Sequence, residues 1–226
     1  MERHTKRSRD THERLLTSAC EVFAEKGFQG ATIAEIVDRA GANIAAVNYH
    51  FGDKEGLYVE AWRHSFQRSL ARHPPDGGVA DDAPAEARLR GRLRALLARI
   101  VDDESREFAI LCTELANPTG LLDEVRRDAI RPVQEKIAAL VRELLGPRAS
   151  DDDVLFCQVS IVSQCLHLTT RRRLVGRSGA GGPRAIRDYG AYADHVAAFS
   201  LAGLRAVRER IEREAAAPAG GTEGGA

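Results

Sequence analysis

The stretch Thr32–Lys54 constrains the fold of this chain most, because it reads as two short helices joined by a tight turn. Thr32 can cap the first helix with its hydroxyl, and Glu35 can reach back to the cap amide, as in a capping box. Gly41 follows this helix, at a position where a left-handed residue without Cβ is favoured. Apolar residues recur between them at helical spacing: Ile33, Ile36, Val37 and Ala40.

The second helix of the pair is the candidate recognition helix, called the reading helix below. Asn43 is a good N-cap for a helix over residues 44–50. Ile44, Val47 and Phe51 share one face of this helix, and we predict that all three are core residues. Two helices separated by a short turn that contains glycine predict a helix-turn-helix, whose second helix enters the major groove of DNA.

Short motifs in and after this stretch resemble the TetR family of transcriptional regulators. They are Thr32-Ile33-Ala34-Glu35-Ile36, Ala40-Gly41, Tyr49-His50-Phe51 and Lys54-Glu55-Gly56-Leu57, and the similarity covers residues 11–66. The variant over residues 46–54 resembles the CecR (CerR) branch, as do residues 114–119 and 160–166 in the second half. Residues 42–45 depart from the Val-Ser-x-Gly start that many members carry.

The resemblance implies a sequence-specific, DNA-binding transcriptional regulator, a repressor that a small-molecule effector releases from a palindromic operator. It also implies a homodimer, because two operator half-sites demand two-fold symmetry in the protein. The expected partners are therefore double-stranded DNA, an unidentified small molecule and a second copy of the chain.

Composition favours an all-α fold, since Ala, Leu, Arg and Glu are abundant and alternating strand-like runs are missing. We predict about nine helices, with a three-helix N-terminal helix-turn-helix domain and a larger C-terminal bundle that dimerises through the last two helices. The first helix is expected over 11–26 and the last over 184–215, and Pro132 is expected to kink or break a helix over 121–145. The predicted divisions are a basic flexible arm over 1–10, a DNA-binding domain over 11–73, a linker over 74–85, a ligand-binding and dimerisation domain over 84–214, and a disordered tail over 215–226.

The net charge is zero, which on its own gives no sign of nucleic-acid binding. Affinity for phosphates depends on local positive charge, however, and the first ten residues carry Arg3, Lys6, Arg7 and Arg9. A solvated tail is the ordinary explanation of such an arm. Directly before a helix-turn-helix, it can also contact phosphate or the minor groove.

No apolar run approaches eighteen residues, and the charged N-terminus is not followed by an apolar segment, so we expect a cytoplasmic protein without a membrane span. Four cysteines are scattered without a CxxC pair, which favours reduced and mostly buried thiols. A redox role for Cys157 and Cys165 stays open. We expect no cofactor and no metal.

DNA-contacting residues follow from the family motif, position by position. Base edges are assigned to Asn43, Ala45, Ala46 and Asn48, with alanine methyl groups facing thymine and Asn48 facing adenine. Backbone phosphate or sugar is assigned to Thr32, Tyr49, His50 and Lys54. Capping alone would also explain Thr32, and an ordinary surface histidine would explain His50.

Two further sets of residues are candidates for the C-terminal domain. The effector-pocket candidates are Trp62, Phe66, Phe108, Cys112, Gln158 and His167, for which ordinary core packing is the alternative. The dimer-interface candidates lie on the last two helices, for which an internal core is the alternative. They are Ile161, Val162, Cys165, Val196 and Phe199.

Two other classes of function compete with a regulator. An all-α enzyme finds little support, because the chain has no GxGxxG, P-loop, HExxH or GxSxG motif. Glu114 beside Asn117 is the one polar group of interest for catalysis, and capping explains it. A helical protein-interaction module with a vestigial helix-turn-helix is the other alternative, and the zero net charge is its best support.

Overall fold

The computed structural model describes residues 2–177 and 185–216, and within them the chain forms nine α-helices and no strand. The all-α prediction is confirmed. Residues 217–226 of the predicted disordered tail lie outside the described residues. The helices are α1 (Glu2–Gly30), α2 (Ile33–Ala40), α3 (Ile44–Phe51), α4 (Lys54–Arg72), α5 (Ala85–Val101), α6 (Glu107–Ala116), α7 (Asp123–Leu145), α8 (Asp151–Arg177) and α9 (Tyr189–Ala216).

The described residues fall into two compact units. The first unit contains the described residues within 1–74, 98–132 and 168–185. The second unit contains the described residues within 75–97, 133–167 and 186–216. The first unit therefore joins α1–α4 with α6, although the sequence places α6 beyond the predicted linker.

The first helix is longer than predicted at both ends. α1 begins at Glu2 rather than near Thr11, so residues 2–10, for which a flexible arm was predicted, are helical in the structure. This segment contains neither glycine nor proline, so nothing in it stops the helix from extending. Gly27, which the sequence marks as the helix end, leaves the helical conformation with φ 69°, and one further turn reaches Gly30.

The core of the first unit forms around α1, which packs against α2, α4 and α6. The apolar stripe of α1 is buried, with each of its members at most 4% exposed: Leu15, Leu16, Ala19, Val22 and Phe23. The Phe23 and Tyr58 rings meet edge to face at 4.8 Å, which ties α1 to α4. Cys20 Sγ donates to the Ala61 carbonyl at 3.1 Å, and burial raises the pKa of this thiol to about 12.

Near the start of α6, a buried ion pair connects α4, α5 and α6. Glu107 Oε1 accepts a hydrogen bond from Arg99 Nη2 at 3.1 Å, and both side chains are almost fully buried. Ser65 Oγ approaches Glu107 Oε2 at 3.5 Å, and Ser69 Oγ accepts from Arg99 Nε at 3.0 Å. Ser105 Oγ donates to Ser69 Oγ at 3.1 Å. The guanidinium, the carboxylate and the serine hydroxyls thus share one network.

A second buried acid, Glu114, lies near the end of α6. Its carboxylate accepts from Tyr58 Oη at 2.9 Å, from Thr119 N–H and Oγ1 at 2.8 Å each, and from Gly120 N–H at 3.1 Å. Glu114 therefore holds the turn after α6 against α4. Capping, the explanation that the sequence favoured for this residue, agrees with these hydrogen bonds.

The Pro/Gly/Asp-rich segment before α5 packs closely rather than forming an open linker. Gly77 has φ 66°, and a Cβ built on it would lie 2.3 Å from the backbone oxygen of Gly91 in α5. Arg92 Nη1 also donates to the Pro75 carbonyl at 3.4 Å. The composition is that of a linker, but two glycines allow backbone to lie directly on backbone.

Two predicted features of the later helices need correction. α7 runs from Asp123 to Leu145 through Pro132, so the predicted break is wrong and the predicted kink stays a prediction. Proline removes only one backbone donor, and buried side chains lie on both sides of it along α7: Val125 before it, and Leu140 and Val141 after it. α9 begins at Tyr189, and part of its predicted first turn lies outside the described residues.

Helices α8 and α9 contact each other within the second unit. Tyr192 Oη donates to the Gln164 carbonyl at 3.0 Å, and Arg210 pairs with Asp153 at 2.5 Å. None of the helices in residues 2–177 and 185–216 is long and apolar enough to cross a membrane.

Candidate nucleic-acid interface

The cap of α2 forms as predicted, but the capping box does not. Thr32 Oγ1 accepts from the Glu35 N–H at 3.2 Å. The Glu35 carboxylate binds Lys26 Nζ at 2.7 Å and Arg39 Nη2 at 2.9 Å instead of reaching back to the cap amide. The hydrogen bond from Lys26 is the main cause that lowers the pKa of Glu35. A cation from α1 therefore competes successfully with the local cap.

The turn between α2 and α3 has the predicted geometry. Gly41 is left-handed, with φ 56° and ψ 43°, and its N–H donates to the Asp38 carbonyl at 3.1 Å. Asn43 is extended, and its Oδ1 accepts from the Ala46 N–H at 2.9 Å. Because this oxygen caps the helix, only the Asn43 side-chain amide N–H groups stay available for an outside acceptor.

α3 presents an exposed and almost uncharged face. Tyr49 is 80% exposed and Ile44 is 54% exposed, and Ala45 and Asn48 are exposed beside them. Val47, at 1%, is the buried residue of this helix. Viewed down the axis of an ideal helix, these four exposed positions span less than half of the circumference, so they form one face.

The prediction that Ile44, Val47 and Phe51 are all core residues is wrong for Ile44, and Phe51 is only half-buried. A helix of eight residues that packs on one side buries little more than the centre of its apolar face. Ile44 lies in the first turn, at the edge of that face, where the neighbouring helices do not cover it.

His50 and Lys54 are half-buried among aromatic rings. The His50 ring centroid lies 5.3 Å from that of His12 and 4.9 Å from that of Tyr49. Burial lowers the pKa of His50, and the charge of His12 lowers it further. Lys54 Nζ lies 4.4 Å above the Phe28 ring, and burial lowers its pKa. Neither residue is a freely solvated surface cation.

The predicted DNA-contacting residues therefore cluster at α3 and at the starts of α2 and α4. The exposed members are Thr32, Asn43, Ala45, Asn48 and Tyr49, and the half-buried members are Ala46, His50 and Lys54. In the basic segment at the start of α1, Lys6 and Arg9 are exposed, and the side chains of Arg3 and Arg7 lie outside the described part.

The six effector-pocket candidates are not brought to one cavity. Phe66 lines an open cavity of about 570 Å³ beside α4 and α7, whereas Phe108 and Cys112 line another of about 260 Å³. Trp62, at 1% exposed, stacks on Phe66 at 5.2 Å. Gln158 donates to the Gln134 carbonyl at 2.9 Å, and His167 is exposed.

Most of the dimer-interface candidates are buried inside their own chain. Ile161, Cys165 and Val196 are at most 3% exposed, and Val162 is half-buried, so only Phe199, at 64%, is fully exposed. The exposed apolar residues of α8 were missed: Leu155, Phe156, Val159 and Leu166. The signal that could have found them was a helix with apolar residues on nearly every side.

Phe156 and Phe199 flank an apolar groove of about 250 Å³ between α8 and α9. Cys157 also lines this groove, and burial raises the pKa of its thiol. Among the residues that the structure describes, no group of three or more acidic, histidine or cysteine side chains could hold a metal ion.

Two family models match this chain. Residues 15–61 match the bacterial regulatory proteins of the tetR family. Residues 85–204 match the C-terminal domain of the HTH-type transcriptional dual regulator CecR, and this second match spans more than half of the chain.

Whole-protein relatives agree with these matches. The HTH-type transcriptional dual regulator CecR of Shigella flexneri is 27% identical over 168 residues, which are 68% of this chain and 73% of that protein. The HTH-type transcriptional regulator BetI of Burkholderia thailandensis is 32% identical over 102 residues, or 45% of this chain. The chain spans about half the length, 50%, of the BetI protein that it matches.

Solved structures show the same fold. The fatty acid degradation regulator FadR from Bacillus halodurans superposes with a TM-score of 0.67 at 16% identity, covering 86% of this chain and 96% of that one. A putative transcriptional regulator from Pseudomonas aeruginosa PAO1 gives a TM-score of 0.68 at 17% identity, covering 88% and 92%. From the two family matches, the chain belongs to the TetR family of bacterial regulatory proteins, and its C-terminal domain is of the CecR type.

Proposed function

We propose that this protein is a sequence-specific DNA-binding transcriptional regulator, and that it acts as a repressor released from a palindromic operator by a small-molecule effector. The exposed face of α3 carries the proposal. That face follows a turn held by Gly41 and Asn43, and the buried Val47 anchors its opposite side. A rigid helix with one free side is what major-groove reading requires.

The reading face divides into base and backbone contacts. Asn48 is exposed at the centre of the face and can bind an adenine edge through its amide. Ala45 and Ala46 offer methyl groups to thymine, and the side-chain N–H groups of Asn43 can donate to an acceptor. Tyr49, His50, Thr32 and Lys54 contact phosphate or sugar and so set the register.

Much of the affinity that does not depend on sequence must come from groups other than the side chains of α3. This helix contains no Arg or Lys, and its one titratable base, His50, has a lowered pKa. The N-terminal amides of α3 and the exposed Lys6 and Arg9 of α1 are available to phosphates instead. Binding should therefore depend on salt less steeply than in a protein with a basic reading helix.

The regulator acts as a homodimer in the cytoplasm. Apolar side chains are exposed around the α8–α9 groove, above all Phe156 and Phe199, and they support this groove as the surface that a second copy of the chain buries. A two-fold dimer also matches a palindromic operator. Phe199→Ser should shift the mass measured by light scattering from dimer to monomer, whereas Leu115→Ser, at another exposed apolar position on α6, should leave it unchanged. A dimer that survives Phe199→Ser and Phe156→Ser together would contradict this interface.

The effector enters the cavity beside α4. The walls of this cavity combine apolar side chains, such as Val59, Phe66 and Val125, with charged ones, such as Arg63 and Glu124. Helix α4 also contacts α3. A ligand that binds more tightly when α4 is in one position than in another would shift the equilibrium between the two positions. The size of that shift is set by the difference in affinity, and the DNA-binding helices would move with α4. The single tryptophan, Trp62, stacks on Phe66, so its fluorescence should report on ligand binding in this cavity.

The deciding experiment is a mobility-shift titration on the DNA that flanks the gene, with wild type beside Tyr49→Ala. Saturable binding by wild type at moderate salt that the variant loses would support the reading helix and define the operator. Equal, weak and salt-sensitive binding by both proteins would leave only electrostatic contact. That result would favour the interaction module with a vestigial helix-turn-helix, and no described side-chain cluster favours an enzyme.

A further inference from the structure

We propose that Ile44 reads the C5-methyl group of a thymine in each operator half-site and selects thymine at that base pair. The inference rests on the proposed DNA binding and goes beyond it, because it assigns one base to one apolar side chain. Ile44 is the first residue of α3, and its side chain is 54% exposed although the residue type favours burial.

The position of Ile44 is fixed by its surroundings. The left-handed Gly41 and the Asn43 cap set the start of α3, and the first residues of a recognition helix are those that contact base edges. Ile44 and Asn48 are four residues apart on a helix, so their side chains are neighbours on one face. The two therefore face adjacent base pairs in the same groove.

The fold does not use Ile44 for its core. Val47 supplies the buried contact of α3, whereas more than half of Ile44, 54%, is left uncovered by the described residues. A β-branched side chain has one strongly preferred χ1 rotamer in a helix. Ile44 is consequently a rigid apolar group that loses little conformational entropy when it meets a surface.

The chemistry of the major groove leaves one apolar target. Thymine presents a C5-methyl group there, whereas cytosine presents an amino donor and guanine and adenine present polar edges. Isoleucine has no donor or acceptor, so it gains by covering a methyl group and leaves the cytosine amino group without a partner. The preferred base opposite Ile44 is thymine. An operator with 5-methylcytosine at that position should bind more tightly than one with cytosine.

The experiment removes the methyl group from the DNA, which leaves the protein intact. Operator duplexes with each thymine replaced singly by uracil are titrated by fluorescence anisotropy against wild type and Ile44→Ala. At one thymine per half-site, uracil should weaken wild-type binding about fourfold, the loss expected for one uncovered methyl group. Replacement in both half-sites should weaken binding about fifteenfold.

Two variants and two further bases separate this role from a general effect. Ile44→Ala should bind the thymine and uracil operators equally at that position, and Ile44→Val should keep most of the preference. Leu115→Ala removes another exposed apolar side chain and should keep the full wild-type preference. Cytosine at the same position should bind more weakly than 5-methylcytosine in wild type only.

Each outcome decides the assignment. Wild type that binds its operator saturably but tolerates uracil at every thymine would overturn the role of Ile44 and leave the proposed function standing. An Ile44→Ala variant that retains the wild-type ratio between thymine and uracil would overturn that role in the same way. No saturable binding by wild type at all would overturn both.

Discussion

Glu107 and Glu114 lie two turns apart on the same side of α6, and each carboxylate is almost fully buried against α4. Burial raises the pKa of Glu107, and the nearby Arg99 charge with its hydrogen bonds does not offset it. Burial also acts to raise the pKa of Glu114, but hydrogen bonds from the backbone and side chain of Thr119, from Tyr58 and from Gly120 outweigh it, so this pKa is lowered.

The opposite pKa shifts of Glu107 and Glu114 indicate that the number of hydrogen-bond donors decides which buried carboxylate is ionised at a small cost in free energy. Glu107 receives one close donor, from the buried Arg99 guanidinium at 3.1 Å, and a longer one from Ser65 Oγ at 3.5 Å, and the ion pair carries a desolvation penalty on both partners. Glu114 receives four donors, two of which are backbone N–H groups already fixed by a turn. The two acids join α6 to α4 by different physical means, and substitutions should separate them.

The largest effect is expected from breaking the ion pair. Glu107→Ala should lower the free energy of unfolding by about 3–5 kcal/mol, because Arg99 would stay buried without its partner. Urea denaturation measures the change. The double variant Arg99→Met with Glu107→Leu should recover most of the loss, and a single variant that costs less than the double would contradict this account.

A smaller loss is expected from Glu114→Ala, about 1–3 kcal/mol in the same denaturation experiment. The turn donors of Thr119 and Gly120 are only partly buried, so water can replace part of what the carboxylate supplied. Glu114→Gln keeps one acceptor and should lose less. If Glu114→Ala proved costlier than Glu107→Ala, donor number would not be the controlling quantity.

Tyr58→Phe should cost about 1 kcal/mol, the value of one hydrogen bond, since the ring keeps its contacts with Phe23 and Phe28. In the Glu114→Gln background the same substitution should cost less, because its partner is already weakened. Additive losses in this double-mutant cycle would show that the two groups do not interact.

The pH dependence should run in opposite directions for the two acids. Glu114 has a folded pKa below its ordinary value of 4.5, so its stabilising contribution is present above pH 4.5 and is lost as the pH falls through the folded pKa. Glu107 has a folded pKa above 4.5, so its contribution falls as the pH rises from 4.5 through the folded pKa. Unfolding of Glu107→Gln and Glu114→Gln at a series of pH values measures both, and parallel profiles would rule out opposite shifts.

Sequence predicted the local parts of the candidate site well. The caps at Thr32 and Asn43 and the left-handed Gly41 form as expected, since each depends on atoms within three residues. Residues predicted to be accessible, such as Asn48 and Tyr49, are exposed.

What sequence could not predict depends on partners that are distant along the chain. Glu35 turns to Lys26 of α1 instead of completing its capping box, and Glu107 and Glu114 take partners from α4. Ile44 matches the periodicity of a core residue, but the extent of neighbouring helices, which no local pattern encodes, leaves it exposed. Gly77 and Gly91 look like ordinary turn and helix residues until their backbones meet.

The packing of α6 on both α1 and α4 bears on how such a protein can be dissected or recombined. A fragment cut after residue 73, where composition suggests a boundary, would lose the partners of Tyr58 and Ser69 and the side chain of Thr113 that lies against Gly27. A chimera that transfers helices α1–α4 to another protein of the family should therefore carry residues 98–120 as well, unless the two parent proteins already have the same side chains at those contacts.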